Sequence, residues 1–367
     1  MRPPAPTPVV FEKLRQEAVI GIYPCRSGIP EAMIILGMLS FMSNAGPEMK
    51  YRRISRGWIA FFFTLFSFLS GGCSGVKMPV ISMTSLEGMP GHFFVGEIVR
   101  LETGETITFH QLIQELEAKE LIFIGEVHDN PEHHLLQVQI LQALIDRHGP
   151  VTLAVEFFQE PQQNIIDHYL QDNATEDEFL QDVNWARTWS FHYHYYRPLI
   201  LLSKDKKCKV IALNAPRDIV KKVARSGLAG LEPEERSQLA DKIDLSNKEH
   251  RAYLREIYNE HSFNDLKKFE YFYEAQCVWE DTMAENISDY VEKDKNKMVV
   301  LTGNGHIINK FGIPNRAAGR VQVRAATILL YAVKGSATIK KEMADFVWLT
   351  GACSKQYSMT LHKYQER

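Results

Sequence analysis

Two histidines stand at matching positions behind apolar runs, where an imidazole could hold a metal ion or transfer a proton. They belong to Gly125-Glu126-Val127-His128 and Gly303-Asn304-Gly305-His306, two copies of the spacing Gly-x-x-His. Each copy follows a nearly unbroken apolar run, which is typical of a buried parallel strand. Because the carboxyl ends of parallel strands lie at one edge of a sheet, we expect the two histidines to meet there.

Two glutamates could join these histidines. Glu126 lies inside the first copy, and Glu156 closes the run VTLAVE directly before two phenylalanines. A buried carboxylate must be paired, protonated or bound to a metal, since an isolated buried charge is very costly. One interpretation is a metal-dependent hydrolase of peptidase or esterase type, with a divalent metal on His128, Glu156 and His306 and with Glu126 and Glu156 as catalytic groups. The other is a hydrogen-bonded network of Glu, His and Arg side chains that shapes the sheet edge.

Four further polar residues follow predicted strand ends. Arg217, in Asn214-Ala215-Pro216-Arg217, and Arg316, in Gly312-Ile313-Pro314-Asn315-Arg316, suit the carboxylate or phosphate groups of a ligand. They could equally pair with the glutamates inside the protein. His133 and His134 lie in the first turn of the next predicted helix. We expect His134 to be a solvated residue of a helix start, whereas the role of His133 stays open.

An aromatic segment from Trp185 to Ile200 reads WARTWSFHYHYYRPLI. Tyrosine and histidine are residue types that ligate haem iron, and the aromatic rings would cover a flat apolar macrocycle. Tyr193, His194 and Tyr195 are therefore candidate haem contacts. The alternative is that much of the segment packs a helix starting at Tyr196 onto the sheet.

The elements that must position these residues alternate between strand and helix. The predicted strands are apolar throughout, which favours an α/β fold with a parallel sheet flanked by helices on both faces. A hairpin is predicted around Gly104, and a helix over 131–148 with Asn130 as its N-cap. The charged segment 218–269 carries no strand signal and predicts a smaller helical subdomain inserted between two strands. The strand-forming runs are 121–124, 151–156, 209–213, 298–302 and 323–333.

The N-terminal part resembles a secretory signal in composition and order. Basic residues between Lys50 and Arg56 precede an apolar run, Trp58 to Ser70, and then small residues and Cys73. We expect a lipoprotein-type signal peptide over 49–73 with Cys73 as the acylated residue; an uncleaved anchor or a simple cleavable signal is the alternative. Residues 1–48 are then a mis-assigned start or disordered. The remaining ranges are 74–92 as a tether, 93–350 as the α/β domain and 351–367 as a C-terminal tail.

Composition excludes several classes of protein. The formal net charge is -3 over 367 residues, and no basic stripe with interleaved aromatics occurs, so nucleic acid is not an expected partner. The five cysteines form no Cys-x-x-Cys pair, which argues against zinc ribbons and thioredoxin-type redox motifs. Cys208 and Cys277 lie in apolar surroundings and are expected to be buried thiols.

Several separated motifs, in order, resemble the ChaN-like family of haem-binding lipoproteins from about Phe93 onward. They are IGEVHDNPEHH, VTLAVEFF, YRPLI, IALNAPR, YEAQCVWEDTMAENI and LTGNGHIINKFGIPNR. The resemblance implies haem as the cofactor, bound through a tyrosine, with Tyr195 and Tyr193 as the first choices and Tyr196 as the third.

The same resemblance implies a role in iron and haem acquisition by a lipid-anchored protein of the bacterial cell envelope, on the outer membrane or the periplasmic face. It also implies a homodimer, and a haem receptor or transporter as a further partner. The wider superfamily is similar to Tiki metalloproteases and erythromycin esterases, which share paired Gly-x-x-His motifs and a glutamate. In this chain those residues would be His128, His306 and Glu156.

Overall fold

Six parallel strands form the centre of the part of the chain that the structure, a computed structural model, describes: residues 83–260, 268–334 and 336–352. The strands are β1 (Met83–Leu86), β2 (Phe93–Phe94), β3 (Ile98–Arg100), β4 (Glu105–Ile107), β5 (Leu121–Glu126), β6 (Thr152–Gln159), β7 (Lys209–Asn214), β8 (Met298–Gly303), β9 (Ala325–Val333), β10 (Ser336–Ile339) and β11 (Phe346–Gly351). The α-helices are α1 (Phe109–Glu117), α2 (Pro131–His148), α3 (Gln163–Leu170), α4 (Glu176–Asp182), α5 (Trp185–Thr188), α6 (Tyr193–Asp205), α7 (Arg217–Ser226), α8 (Pro233–Arg236), α9 (Lys248–Glu260), α10 (Phe269–Lys293) and α11 (Ile313–Ala318).

The main sheet has the order β4-β3-β11-β9-β5-β8-β6-β7. The strands from β11 to β7 are parallel to their neighbours, and β3 and β4 add an antiparallel hairpin at one side. Gly104 turns that hairpin with φ +72°, a conformation that glycine adopts readily. The predicted α/β fold with a largely parallel sheet is confirmed, and so is the hairpin around Gly104.

Helices cover both faces of the sheet because its buried strands carry apolar side chains on both sides. Ile122 and Ile124 of β5 face the layer that contains α1, α2 and α6. Leu121 and Phe123 of the same strand face α10 and α11. This alternation follows from the two-residue period of a strand. Helices from both layers therefore meet at the carboxyl ends of the strands.

The helices that carry functional residues begin where the sequence places good helix starts. Asn130 accepts a hydrogen bond from the backbone N–H of Glu132 at 3.0 Å, and Pro131 occupies the first helical position of α2. The helices α7 to α9, in the segment predicted as a helical insertion, follow β7 and precede the 25-residue α10.

Two features differ from the sequence-based expectations. Met83–Leu86, within the predicted tether 74–92, is a strand that pairs with β10 and β2 in a small second sheet. Phe346–Gly351 was not anticipated as a strand, yet it lies between β9 and β3 in the main sheet. The predicted signal peptide, Cys73 and most of the tail 351–367 lie outside the described residues. None of the helices within the described ranges is long and apolar enough to cross a membrane.

Candidate functional site

The carboxyl ends of β5, β6 and β8 bring the predicted glutamates and histidines together. Glu126 pairs in register with Gly303, the first residue of the second Gly-x-x-His copy. The imidazole Nε2 of His306 lies 3.5 Å from Glu156 Oε1, and that of His128 lies 4.0 Å from the same oxygen. We call His128, Glu156 and His306 the strand-edge cluster. Its members were predicted to meet, and they do.

Glu156 is a buried carboxylate held in its ionised form. Its Oε2 accepts the backbone N–H of Gly303 at 2.7 Å. Burial alone would raise the pKa of Glu156, but the charge and hydrogen bond of His306, with His128 and Gly303, lower it to about 2. Asn214, at the end of β7, donates its amide N–H to the Glu156 carbonyl at 2.9 Å. The carboxylate therefore has a fixed position and a permanent negative charge.

His306 carries the matching positive charge. Burial would lower its pKa, but Glu156 and Glu280 raise it to about 10. Its Nδ1 lies 3.4 Å from Glu280 Oε1 and 3.1 Å from Gln276 Nε2. Gln276 and Glu280 belong to α10, so this helix reaches the strand edge. His306 thereby joins the sheet edge to the second helical layer.

Glu126 holds a second group of polar side chains on the opposite layer. Its carboxylate accepts from His128 Nδ1 at 2.8 Å, from the Tyr196 hydroxyl at 3.1 Å and from Gln137 Nε2 at 2.7 Å. Nδ1 of His134 lies 3.3 Å away. Burial would raise the pKa of Glu126, but His134, His128 and Gln137 together lower it. Each oxygen of this carboxylate is thus engaged by protein groups.

His128 connects the two groups. Burial opposes a raised pKa at His128, yet its hydrogen bond to Glu126 and the charges of Glu156 and Glu126 raise it. Its side chain is 25% exposed, and its ring packs against Trp189 and Phe191 at centroid distances of 5.0 and 4.8 Å. It is therefore the member of the strand-edge cluster nearest to solvent.

The three neighbouring tyrosines at the start of α6 have different surroundings. Tyr193 is buried and donates its hydroxyl to Glu176 at 3.1 Å. Tyr196 is fully buried and donates to Glu126. Tyr195 is half-buried, and its ring stacks on His134 at 5.2 Å with an angle of 4° between the planes. His194 is exposed.

His133 and His134 lie in the first turn of α2. The sequence predicted a solvated His134 and left the role of His133 open. His134 is 2% exposed, so the expectation of a solvated side chain is not met. His133 is also buried; its Nδ1 accepts the Val127 N–H at 2.9 Å and its Nε2 donates to Thr350 Oγ1 at 2.8 Å. Burial is the largest cause that lowers its pKa, to about 4. His133 therefore has a structural role that joins β5 to β11.

The two predicted arginines lie apart from the strand-edge glutamates. Arg217 donates to the carbonyl of Arg187 at 2.9 Å and to Ser190 Oγ at 3.0 Å. It therefore orders the loop that leads into α6. A contact between Arg217 and a ligand stays a prediction.

Arg316 is buried and packs against α10. Its guanidinium donates to Glu280 at 3.3 Å, to Asp281 and to Cys277 Sγ at 3.1 Å. Burial would lower its pKa, but Glu280, Cys277 and Asp281 raise it. The guanidinium donors of Arg316 are thus engaged by protein groups. A contact between Arg316 and a ligand also stays a prediction.

Sequence reasoning overlooked Gln137 and favoured a packing role for Tyr196 over a role as haem ligand. Gln137 follows His133 and His134 at helical spacing and precedes Ile140 and Leu141, so it lies on the core-facing side of α2. A polar residue on such a face needs a buried partner. That signal was available in the sequence, although it could not identify Glu126 as the partner.

The predicted metal site is not supported. Within the described residues, no group of three or more His, Cys, Asp or Glu side chains is arranged to hold a metal ion. The nitrogen–oxygen contacts of the strand-edge cluster are instead those of ion pairs and hydrogen bonds. The network interpretation, which was the alternative, describes this geometry.

Comparisons with known proteins agree with the fold. A model described as "Haem-binding uptake, Tiki superfamily, ChaN" matches residues 112–317. A solved structure titled for cofacial haem binding to ChaN of Campylobacter jejuni aligns with a TM-score of 0.55 and 22% identity, covering 68% of this chain and 95% of that one. At this identity the likeness shows a shared fold.

Two further structures are similar at a lower level. The type III effector HopBA1 aligns with a TM-score of 0.37 and 13% identity over 75% of this chain and 99% of that one. A mutant of the erythromycin esterase EreC aligns with a TM-score of 0.40 and 15% identity over 64% and 76%. No curated protein sequence matches the chain.

Proposed function

The chain belongs to the ChaN family of haem-binding uptake proteins in the Tiki superfamily, and from this membership we propose that it binds haem with the Tyr195 phenolate as the iron ligand. Tyrosine is an established axial ligand of haem iron. The haem would supply the iron centre, and the protein would supply the phenolate and an apolar surface. The proposal selects one tyrosine from three adjacent ones.

The observation that carries this choice is the different burial of the three tyrosine side chains. Tyr193 and Tyr196 each donate to a carboxylate. Burial, followed by the charge of the neighbouring glutamate, raises the pKa of both well above the ordinary value of 10. A phenol that holds its proton so firmly is a poor phenolate ligand. Tyr195 is the half-buried member of the three.

The surface around Tyr195 suits a flat apolar ligand. Tyr195 stacks on His134, and the next residue of α2, Leu135, is 63% exposed. Val127, directly before His128, is 38% exposed. Phe191, which packs on His128, is half-buried. A contiguous patch of exposed apolar side chains marks a binding surface, so we expect a macrocycle held beside Tyr195 to contact Leu135, Val127 and Phe191.

Haem titration of the full-length protein tests the proposal. We expect a Soret change in the wild type and loss of the phenolate-to-iron band in Tyr195→Phe, whereas Tyr193→Phe and Tyr196→Phe keep it. His194→Ala serves as a control for the exposed neighbour and should keep the band. An unchanged Soret region in the wild type would overturn haem binding. Loss of the band in Tyr193→Phe alone would overturn the choice of Tyr195.

We also propose that the protein acts in haem and iron acquisition at the bacterial cell envelope, attached through a lipid on Cys73. The support is the order of basic residues, apolar run and cysteine from Lys50 to Cys73. A homodimer, and a haem receptor or transporter as partner, complete the proposal. Labelled palmitate should enter the wild type but not Cys73→Ser, and the variant should leave the membrane fraction. Membrane-bound Cys73→Ser would contradict lipid attachment at this residue.

A further inference from the structure

The contact between His134 and Tyr195 joins the surface to the buried polar network. His134 lies on α2, is 2% exposed and stacks almost parallel to the Tyr195 ring of α6, at 5.2 Å between centroids. The same imidazole meets the buried ring of Tyr196 edge-on at 4.6 Å. A partly exposed aromatic side chain thus rests on one that cannot move into solvent.

His134 is held from two sides by oxygen atoms. Its Nε2 donates to the backbone carbonyl of His128 at 3.1 Å. Its Nδ1 faces the carboxylate of Glu126, with Oε2 at 3.3 Å. The hydrogen bond to the His128 carbonyl therefore fixes the plane of the imidazole ring.

Hydrogen bonds hold the Glu126 carboxylate in place beside His134. Its Oε2 also accepts from Gln137 at 2.7 Å, and its Oε1 accepts from Tyr196 and His128. Four side chains from β5's own loop, α2 and α6 thus converge on one carboxylate that is 4% exposed.

We propose that His134, held by the carbonyl of His128 and facing Glu126, is a positioning residue for Tyr195: it fixes the plane of the phenol ring that would ligate haem iron. This inference rests on the proposed function and deepens it. Stacking on a fixed ring reduces the rotamer freedom that an exposed side chain would lose on binding.

A simpler role for His134 would be to pack α2 against α6. Packing depends on volume and is largely kept by a residue of similar size. Positioning depends on the flat ring and on the Nε2 hydrogen bond that holds its plane. The two roles therefore separate when the ring and the nitrogens are removed one at a time.

Three variants of the full-length protein separate these roles. His134→Phe keeps a flat ring without nitrogens, and His134→Gln keeps a polar group without a ring. His133→Gln is the matched control, because His133 is equally buried in the same turn and bonds Val127 and Thr350 instead. Haem titration gives the Kd, the visible spectrum gives the phenolate-to-iron band, and electrochemistry gives the ferric/ferrous potential.

We expect His134→Gln to weaken haem binding by about threefold to tenfold, the range for loss of one aromatic pair, and to shift the phenolate band and the potential. His134→Phe should keep most of the affinity and still shift the band and the potential. His133→Gln should leave the band and the potential unchanged. Wild-type spectra in both His134 variants, or an equal shift in His133→Gln, would overturn the positioning role.

The same experiment distinguishes failure of the inference from failure of the proposed function. If the wild type shows no haem spectrum, or if Tyr195→Phe keeps the phenolate band, the proposed function fails whatever the His134 variants do. If His134→Gln unfolds, His134→Phe carries the test, because it keeps the flat ring and removes the Nε2 hydrogen bond to the His128 carbonyl. A wild-type band in His134→Phe would then overturn the inference.

Discussion

A Cβ atom on Gly303 would lie 2.9 Å from Nε2 of His128, so the second Gly-x-x-His copy leaves room for the histidine of the first. Likewise, a Cβ on Gly125 of the first copy would lie 3.3 Å from Cα of Asn304 in the second copy, and closer still to the Asn304 side chain. The two copies therefore fit into each other. Their glycines are explained by this close approach, independently of any chemistry of the histidines.

Replacing either glycine by alanine should destabilise the fold and displace its neighbour. Overpacking of a well-packed region costs about 1–3 kcal/mol. We expect Gly125→Ala to be the more severe, because backbone atoms of Asn304 cannot rotate away as the His128 imidazole can. Urea denaturation followed by circular dichroism measures the free energy of unfolding.

Gly305→Ala is the control for these two variants. The space around Gly305 is open, with no atom within 4 Å of an added Cβ. We expect its unfolding midpoint to match that of the wild type. A loss of stability at Gly305 equal to that at Gly303 would contradict the explanation by close approach.

The ion pair between Glu156 and His306 predicts a stability that falls on both sides of a pH window. The lowered pKa of Glu156, about 2 against 4.5, means that its contribution is present above pH 4.5 and lost as the pH falls. The raised pKa of His306, about 10 against 6.5, means that its contribution is present below pH 6.5 and lost as the pH rises. The contribution of this pair to stability should therefore be greatest between pH 4.5 and pH 6.5.

Thermal unfolding of the wild type and of His306→Gln between pH 6.5 and pH 10 measures the alkaline side of this window. The wild-type midpoint should fall with rising pH, and the variant should start lower and change less. Parallel curves for the two proteins would show that another group causes the alkaline loss.

Much of this fold could be predicted because its signals are local. The strand β5 and the helix α2 each show their pattern, capping residue and end within the residues that form them. The strand β11 was missed because its place between β9 and β3 depends on pairing with distant segments. Likewise β1 is a strand through its pairing with β10, some 250 residues later.

The candidate site was predictable to a similar extent. The meeting of His128, Glu156 and His306 followed from the rule that parallel strands end at one edge. The burial of His134 and the partners of Glu126 did not follow, because they depend on how α2 packs against α6. In the first turn of a helix, the sequence alone does not show whether a polar residue faces the core or the solvent. Tertiary packing decides which of these residues are buried.

The guanidinium of Arg316 should be essential for stability. It is the cation that Glu280 and Asp281 share, and both carboxylates are fully buried. Removing one partner of a buried ion pair costs about 3–5 kcal/mol where the other charge is left uncompensated; His306 beside Glu280 and Arg320 beside Asp281 place the expected loss at the lower end. We expect Arg316→Ala to lower the unfolding midpoint strongly. Arg324→Ala, which breaks an exposed pair with Glu120, is the control and should change it little.

The side chain of Gln163 should protect the edge strand β7 from pairing with other molecules. Its Nε2 donates to the Val210 carbonyl and its Oε1 accepts the Ala212 N–H, both at 2.8 Å, so the amide acts as a short substitute for a neighbouring strand. Gln163→Ala would free these two edge groups. We expect a loss of about 1–2 kcal/mol and concentration-dependent association, measured by denaturation and light scattering. Gln142→Ala, which removes an exposed hydrogen bond to Asp146 on α2, should cause neither effect; equal association of both variants would contradict the edge-protecting role.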